Sequence, residues 1–342
     1  MKKIVTFGEL LLRLESCLHN RFLQGDLLIR SFCGSEANVA VSLANFNDEV
    51  EFITKIPANE IGEEAIRSLR GFGVDVKNCK LGNGRMGLYF LEKGASQRPS
   101  KIIYDRKDSV FSLIKKNEFD WESLLNNVDW FHWSGITPAL SNELFETLLD
   151  ALQYSKNNGI FISCDLNYRK MLWSENKAQE KMKQLIKYVD LCIGNEEDAA
   201  MALGINKKQS DVPANSLRID DYRYIAHTIF QEYGCEKVAF SLRDSYSADD
   251  NGWSGIIYDG ISDTLYESLK YKIHIIDRVG AGDSFAAGLI HALINDFDLQ
   301  YSINFAVAAS CLKHTIEGDF NRISLVEVEN LMNGMSSGRI CR

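Results

Sequence analysis

Short apolar runs with strand character alternate with stretches of helical periodicity along most of this chain, and that alternation limits its fold more than any other feature. "KIVTFGE" (3–9) reads as a buried strand ending at Gly8, "EANVAVSLANF" (36–46) as a helix, and "VEFITKI" (50–56) as a strand again. "SNELFETLLDALQYSKNNG" (141–159) opens on a capping serine and closes on a glycine, and the strand "IFISCDLN" (160–167) follows it. "VDLCIG" (189–194), "KVAFSL" (237–242) and "YKIHII" (271–276) repeat the strand pattern. Such a rhythm predicts an α/β fold, a mostly parallel sheet with helices on both faces.

Two regions break the rhythm. Residues 10–35 and 85–108 carry short alternating strands separated by turn residues, with a hairpin expected between 88–92 and 101–106 over "KGASQRP". They are expected to form a small β lid over a core of 1–9, 36–84 and 109–342, or else an edge extension of the main sheet. The polar run 206–221 reads as a flexible surface insertion.

The totals exclude several classes. The 342 residues carry a net charge of -9 with no Lys/Arg block, which argues against nucleic-acid binding. Eight scattered cysteines without a C-x-x-C suggest reduced thiols and a cytoplasmic location. Glu9 and Arg13 interrupt the apolar amino terminus, so neither a signal peptide nor a membrane span is expected. The six histidines, His132 and His314 included, lack metal-ligand spacing and read as structural or surface residues.

Two glycine motifs compete for attention. "GNGRMG" (82–87) fits G-x-G-x-x-G but precedes a strand pattern, "LYFLEK", so it reads as a turn and gives a nucleotide-dependent oxidoreductase little support. "DRVGAGDSFAAG" (277–288) leads straight into an apolar helix. Gly280, Ala281 and Gly282 leave the backbone open, and the helix beginning near Asp283 aims free N–H groups at the turn, an arrangement that attracts anions. A carboxylate beside an anion hole is the pair that phosphoryl transfer to an alcohol needs. The same residues also make an ordinary helix start, and both readings stand on this motif alone.

The motif resembles the carboxy-terminal signature of the ribokinase-like (PfkB-type) carbohydrate kinases. "FCGSEANVAVSLA" (32–44) resembles their amino-terminal signature and "GNEEDAAMALG" (194–204) their acidic element, in matching order over nearly the whole chain. Four further stretches, "GLYFLE" (87–92), "IIYDRKDS" (102–109), "HWSGITPALS" (132–141) and "CDLNYRKMLWS" (164–174), resemble the members that act on 2-keto-3-deoxy sugar acids.

The resemblance implies a ribokinase-like fold that uses ATP and Mg2+ to phosphorylate the terminal hydroxyl of 2-keto-3-deoxygluconate or a close sugar acid. Asp283 would be the base and the Gly280–Gly282 turn the anion hole. Gly34, Ser35 and Asn38 would hold sugar hydroxyls. Tyr89, Tyr104, Arg106, Asn167 and Arg169 would meet the rest of the acid, since guanidinium groups suit carboxylates. Asn167, Asn195, Arg243, Gly280 and Gly282 would face the nucleotide, with Asn195 and Asp198 near the metal indirectly. A homodimer or higher homo-oligomer paired through the lid is the assembly it implies.

Three departures stand out. Asp198 replaces the family's usual glutamate, Arg278 replaces a small residue or proline, and "SLRDSYSADDNGWSG" (241–255) lacks the near glycines of the nucleotide loop while adding Asp244, Asp249 and Asp250. A kinase for a neutral sugar (fructose or ribose) and a sugar-acid-binding protein without catalysis are the competing readings.

Overall fold

The computed structural model describes residues 2–206 and 219–335. Six strands form a parallel array in the order Glu49–Ile53, Lys3–Phe7, Trp130–Ser134, Phe161–Asp165, Leu191–Gly194 and Lys237–Ser245. Asp250–Asp259 adds antiparallel to the last of these, and both Thr264–Glu267 and Tyr271–His274 pair with it. The expected α/β sheet is therefore present, with an antiparallel edge the apolar runs did not reveal.

Helices cover both faces. One layer sets Val39, Leu43, Phe285, Ile290 and Phe305 against the sheet, and the other sets Leu148, Met182, Ile225 and Ile229 against Phe131 and Phe240. Local chemistry fixes the helix ends. The Ser141 hydroxyl accepts the Leu144 N–H (3.2 Å) at the start of Asn142–Asn157, and Asn195 caps Glu196–Leu203.

Strand order reverses beside Lys3–Phe7. The chain runs from it through the helix Ser35–Asn45 to Glu49–Ile53 on one side, while Trp130–Ser134 joins on the other. A crevice opens at the carboxyl ends of strands at such a reversal. Over it lies a second sheet in the order Leu28–Cys33, Leu11–Ser16, Gly87–Glu92 and Lys101–Asp105, from the two regions that break the alternation. Leu11, Cys33, Tyr89 and Leu91 form its small core, with Tyr104 and Val279 packed against them. "GNGRMG" joins the strand Lys80–Gly82 to Gly87–Glu92 with no helix between them. Of the 206–221 insertion, 207–218 lie outside the described residues, and a helix, Ile219–Tyr233, begins directly after them.

The helix Ala281–Ile294 packs closely on Leu299–Lys313. A β-carbon on Gly288 would lie 2.6 Å from the Ala306 Cα. Gly288→Ala is expected to lower stability by about 1–3 kcal/mol through overpacking, although alanine is the better helix former. Urea unfolding reads this, and an unshifted midpoint would refute tight helix contact.

Candidate active site

The crevice holds a cavity of about 310 Å3. Every residue expected to bind substrate, nucleotide or metal lines it: Gly34, Ser35, Asn38, Tyr89, Tyr104, Arg106, Asn167, Arg169, Asn195, Asp198, Arg243 and Gly280 to Asp283; the departing acids Asp244, Asp249 and Asp250 do not.

At its centre the helix Ala281–Ile294 starts from Gly280, whose φ of +83° is open to glycine and strained for other residues. A side chain there would also overlap the Asp319 carbonyl. Asp283, in the first helical turn, accepts hydrogen bonds from Ser35 Oγ (2.7 Å) and Asn38 Nδ2 (2.6 Å). Those donors sit on the first turn of Ser35–Asn45, so two helix starts converge on one carboxylate. Asn38 is not on a solvated face; it is buried at 3% exposure. Burial pushes the Asp283 carboxyl up to about 6, against the lowering effect of Asn38 and Ser35.

Further acids surround it. Burial raises Asp165 well above the usual carboxylate range, and Asp198 and Asp283 add to the rise. Burial also lifts Asp198 to about 6 and Glu36 to about 7. The charge of Arg169 works the other way on Asp165, Asp198 and Asp283. Arg169 itself donates only to the Tyr168 carbonyl (3.1 Å) and has no ion-pair partner among the described residues. Asn167, at a φ of +39°, donates to Asp165 (3.1 Å) and Ser35 Oγ (3.2 Å), which leaves its buried Oδ1 without a partner.

The covering sheet is more committed than the sequence suggests. Arg106 does not stand free: its Nε donates to Glu9 Oε2 (2.8 Å), its Nη2 donates to the same oxygen, and Ser109 holds the other oxygen. The Tyr89 hydroxyl donates to both Asp319 oxygens (2.7 and 2.9 Å), so it faces an acid of the chain. Tyr104 lies beside it with ring centroids 5.9 Å apart.

At the far end Arg243 and Arg278 share the cavity with Trp253. Arg243 lies over the Trp253 ring (5.7 Å), and the indole Nε1 is buried without a partner. The stretch 241–255 is not a loop but a hairpin, Lys237–Ser245 with Asp250–Asp259. Its tip reaches the covering sheet: the Ala248 N–H donates to the Ser96 carbonyl (2.9 Å), and Asp249 accepts from the Ser96 N–H (2.7 Å). Arg278 donates to the Ala248 carbonyl (2.6 Å). Asn195 spends its side-chain oxygen on capping the Asp198 N–H (2.8 Å), and Asp198 accepts the Tyr168 N–H (3.0 Å).

Glu9, Glu36, Asp165, Trp253 and Asp319 line the cavity without having been singled out. Only Asp165 carried a signal, since it ends the strand before Asn167. His132 and His314 are buried and structural, hydrogen-bonded to Ser163 and to the Ser310 carbonyl. The seven cysteines among the described residues are unpaired. No helix among the described residues is long and apolar enough to cross a membrane.

Transfer of a phosphoryl group to an alcohol calls for a proton acceptor next to a preformed anion pocket, and the groups at Gly280–Asp283, a carboxylate beside the start of a helix, are of the kinds that chemistry uses. The class so defined is a carbohydrate kinase. The family model "pfkB family carbohydrate kinase" matches residues 1–322, and the chain belongs to that family. It is 45% identical to a solved 2-dehydro-3-deoxygluconokinase from Thermotoga maritima, with a TM-score of 0.92 over 98% of this chain and 100% of that one. It is 27% identical to a 2-dehydro-3-deoxygalactonokinase of Haloferax volcanii, over 98% of both chains. A 2-dehydro-3-deoxygluconokinase of Thermoproteus tenax is 26% identical over 98% of this chain and 95% of its own.

Asp283 carries a stability consequence. Its carboxyl stays protonated up to about 6 in the native state, against 3.8 for an ordinary aspartate. Between those values the unfolded chain releases a proton that the native state keeps, so this group's contribution to stability falls as pH rises from about 4 to about 6. Asp283→Asn should therefore be more stable than the wild type at pH 7.5 by about 1–3 kcal/mol, with the gain shrinking toward pH 4. Unfolding midpoints across that range decide it, and a mutant less stable at pH 7.5 would contradict the burial effect.

Proposed function

We propose that the protein transfers the γ-phosphoryl group of ATP to the terminal (6-) hydroxyl of 2-keto-3-deoxygluconate or a closely related sugar acid. The observation that carries this reading is Arg169, a guanidinium in the same cavity as Asp283 with no ion-pair partner among the described residues. An acidic ligand satisfies such a group, and the names of the relatives supply the chemical class. Arg106 is already paired with Glu9, so in this reading it offers its remaining N–H groups to a keto or hydroxyl oxygen and Arg169 takes the carboxylate.

Asp283 accepts the hydroxyl proton as the new O–P bond forms. The bond from the γ-phosphorus to the bridging oxygen breaks, and ADP leaves with that electron pair. The N–H groups of Gly280 and Gly282 face the charge on the moving phosphoryl group, while that of Ala281 donates to the Arg278 carbonyl (3.4 Å). The unpartnered Asn167 Oδ1, with Ser35 and Asn38, suits sugar hydroxyls, and Gly34 leaves room for close approach. Tyr89 and Tyr104 offer ring faces. Arg243 and Arg278 suit the nucleotide phosphates. Closure of the second sheet as a lid over the 1–9, 36–84 and 109–342 core would keep water from competing as acceptor.

Magnesium fits the donor set. Asp165 and Asp198 are oxygen ligands whose ionisation burial and mutual repulsion oppose, and a hard cation relieves both. The side-chain oxygen of Asn195 is engaged in its cap, so that residue acts through Asp198. When bound with ATP, the ion neutralises charge on the β- and γ-phosphates. Among the described residues, the acidic cluster tight enough for a bare cation is Glu15, Asp277 and Glu317, outside the cavity and already bridged by Lys93. A cytoplasmic location suits the unpaired thiols. Half-exposed Leu28, Ile29, Ile102 and Ile103 on the outer strands of the second sheet favour its pairing in a homodimer.

Pairing of Arg106 with Glu9 is the one observation that favours a neutral sugar instead. An ADP-release assay over gluconate- and galactonate-derived 2-keto-3-deoxy acids, fructose and ribose separates the readings. Selective turnover of the keto-deoxy acids is expected, with kcat/KM rising through about pH 6 as Asp283 ionises. Arg169→Ala should raise the sugar-acid KM about 10- to 100-fold, the loss of a charge-assisted contact. Equal turnover of fructose, or a fully active Asp283→Asn, overturns the proposal.

Gly282 gives a sharper check, because a β-carbon there meets no atom within 4 Å. Gly282→Ala should raise stability by about 0.5–1 kcal/mol while kcat falls at least about tenfold, since the methyl group intrudes where the phosphoryl group passes. Unchanged kcat in a stable Gly282→Ala protein would move the reaction away from this turn.

A further inference from the structure

Arg13 has no exposed surface, although it lies on Leu11–Ser16 of the covering sheet. Its guanidinium reaches the loops behind the anion turn. Nη1 donates to Asp319 Oδ1 (2.5 Å), and Nη2 donates to Asp277 Oδ2 (2.5 Å) and to Glu15. Both loop carboxylates also hold the backbone or the covering sheet. Asp277 accepts the N–H groups of Val279 (3.1 Å) and Gly318 (3.1 Å), and Asp319 accepts the Tyr89 hydroxyl. The Asp319 carbonyl occupies the space that a β-carbon on Gly280, the residue that starts the helix, would need. One side chain thus ties a covering strand to the segments before and behind the anion turn.

A lone structural ion pair would not have this geometry. Glu15 and Lys93 could neutralise each other on the covering sheet without reaching the core (3.6 Å). Arg13 instead spends its fork on carboxylates from 277 and 319, which would repel one another without it.

We propose that Arg13 is a positioning residue for phosphoryl transfer, holding the Gly280–Gly282 turn in register with the sheet that covers the sugar. The inference rests on the function proposed above for that turn. Arg13 touches neither substrate in this account; it acts through Asp277 and Asp319.

The test compares wild type, Arg13→Lys and Asp277→Asn, each assayed for kcat, for the KM of ATP, and for the affinity of ADP–aluminium fluoride with magnesium and sugar acid relative to ADP alone. Lysine keeps the charge but loses the fork; asparagine keeps an acceptor for Val279 but loses the ion pair. Either variant should lower kcat about 10- to 100-fold, the effect of a small misplacement of a catalytic turn, while the KM of ATP moves by less than about threefold. The preference for the fluoride complex should fall in parallel. If Arg13→Lys does not fold, Asp277→Asn carries the same expectation. A folded variant with lowered thermal stability but wild-type kcat and fluoride preference makes Arg13 purely structural and overturns the proposal alone. Absence of that preference in the wild type removes the anion-turn reading and this inference with it.

Discussion

Charge balance in a water-poor crevice governs this molecule. Four carboxyl groups line one cavity, Glu36, Asp165 and Asp283 buried and Asp198 half-buried, and desolvation raises each of them. Such a cluster is tolerable because it borders cations, Arg169 foremost, and because helix starts point at it. In the proposed reaction the N–H groups at the Gly280 turn meet the phosphoryl charge, and the acids serve a cation or a proton. The lining carries both signs, with Arg169, Arg243 and Arg278 beside the acids.

The second sheet is the other half of that arrangement. Its Arg106 is neutralised by Glu9, which follows the first strand, and its Tyr89 hydroxyl donates to Asp319. Both contacts cross from the cover to the core, so the cover is oriented by the same charges that line the crevice. Apolar packing also joins the two: Leu12 and Phe32 of the second sheet belong to the main core, and Leu14 and Leu88 pack against it.

The parallel array and most cavity residues were legible because periodicity and motif spacing are local properties. The runs at 3–9, 160–167 and 189–194 each became a strand of the array, and 277–288 became the turn and helix. What stayed hidden depends on distant partners. Nothing near Arg106 announces Glu9, almost a hundred positions earlier, and nothing near Tyr89 announces Asp319. The hairpin at 241–255 was obscured for a different reason: its second strand mixes Asp250, Asn251 and Gly252 with apolar residues, so neither a turn nor a strand dominates its composition. Asn195 shows a third case, in which a residue fit for a ligand role is occupied as a helix cap.

The hairpin tip meets the turn at Ser96 twice: the Ala248 N–H donates to the Ser96 carbonyl, and the Ser96 N–H donates to the Asp249 carboxylate. The first contact is indifferent to side-chain identity and the second needs an acceptor at 249, but both are strict about length. Lengthening either segment by one residue would slide the donors past the acceptors, so loop sizes at these two places must change together when related chains diverge.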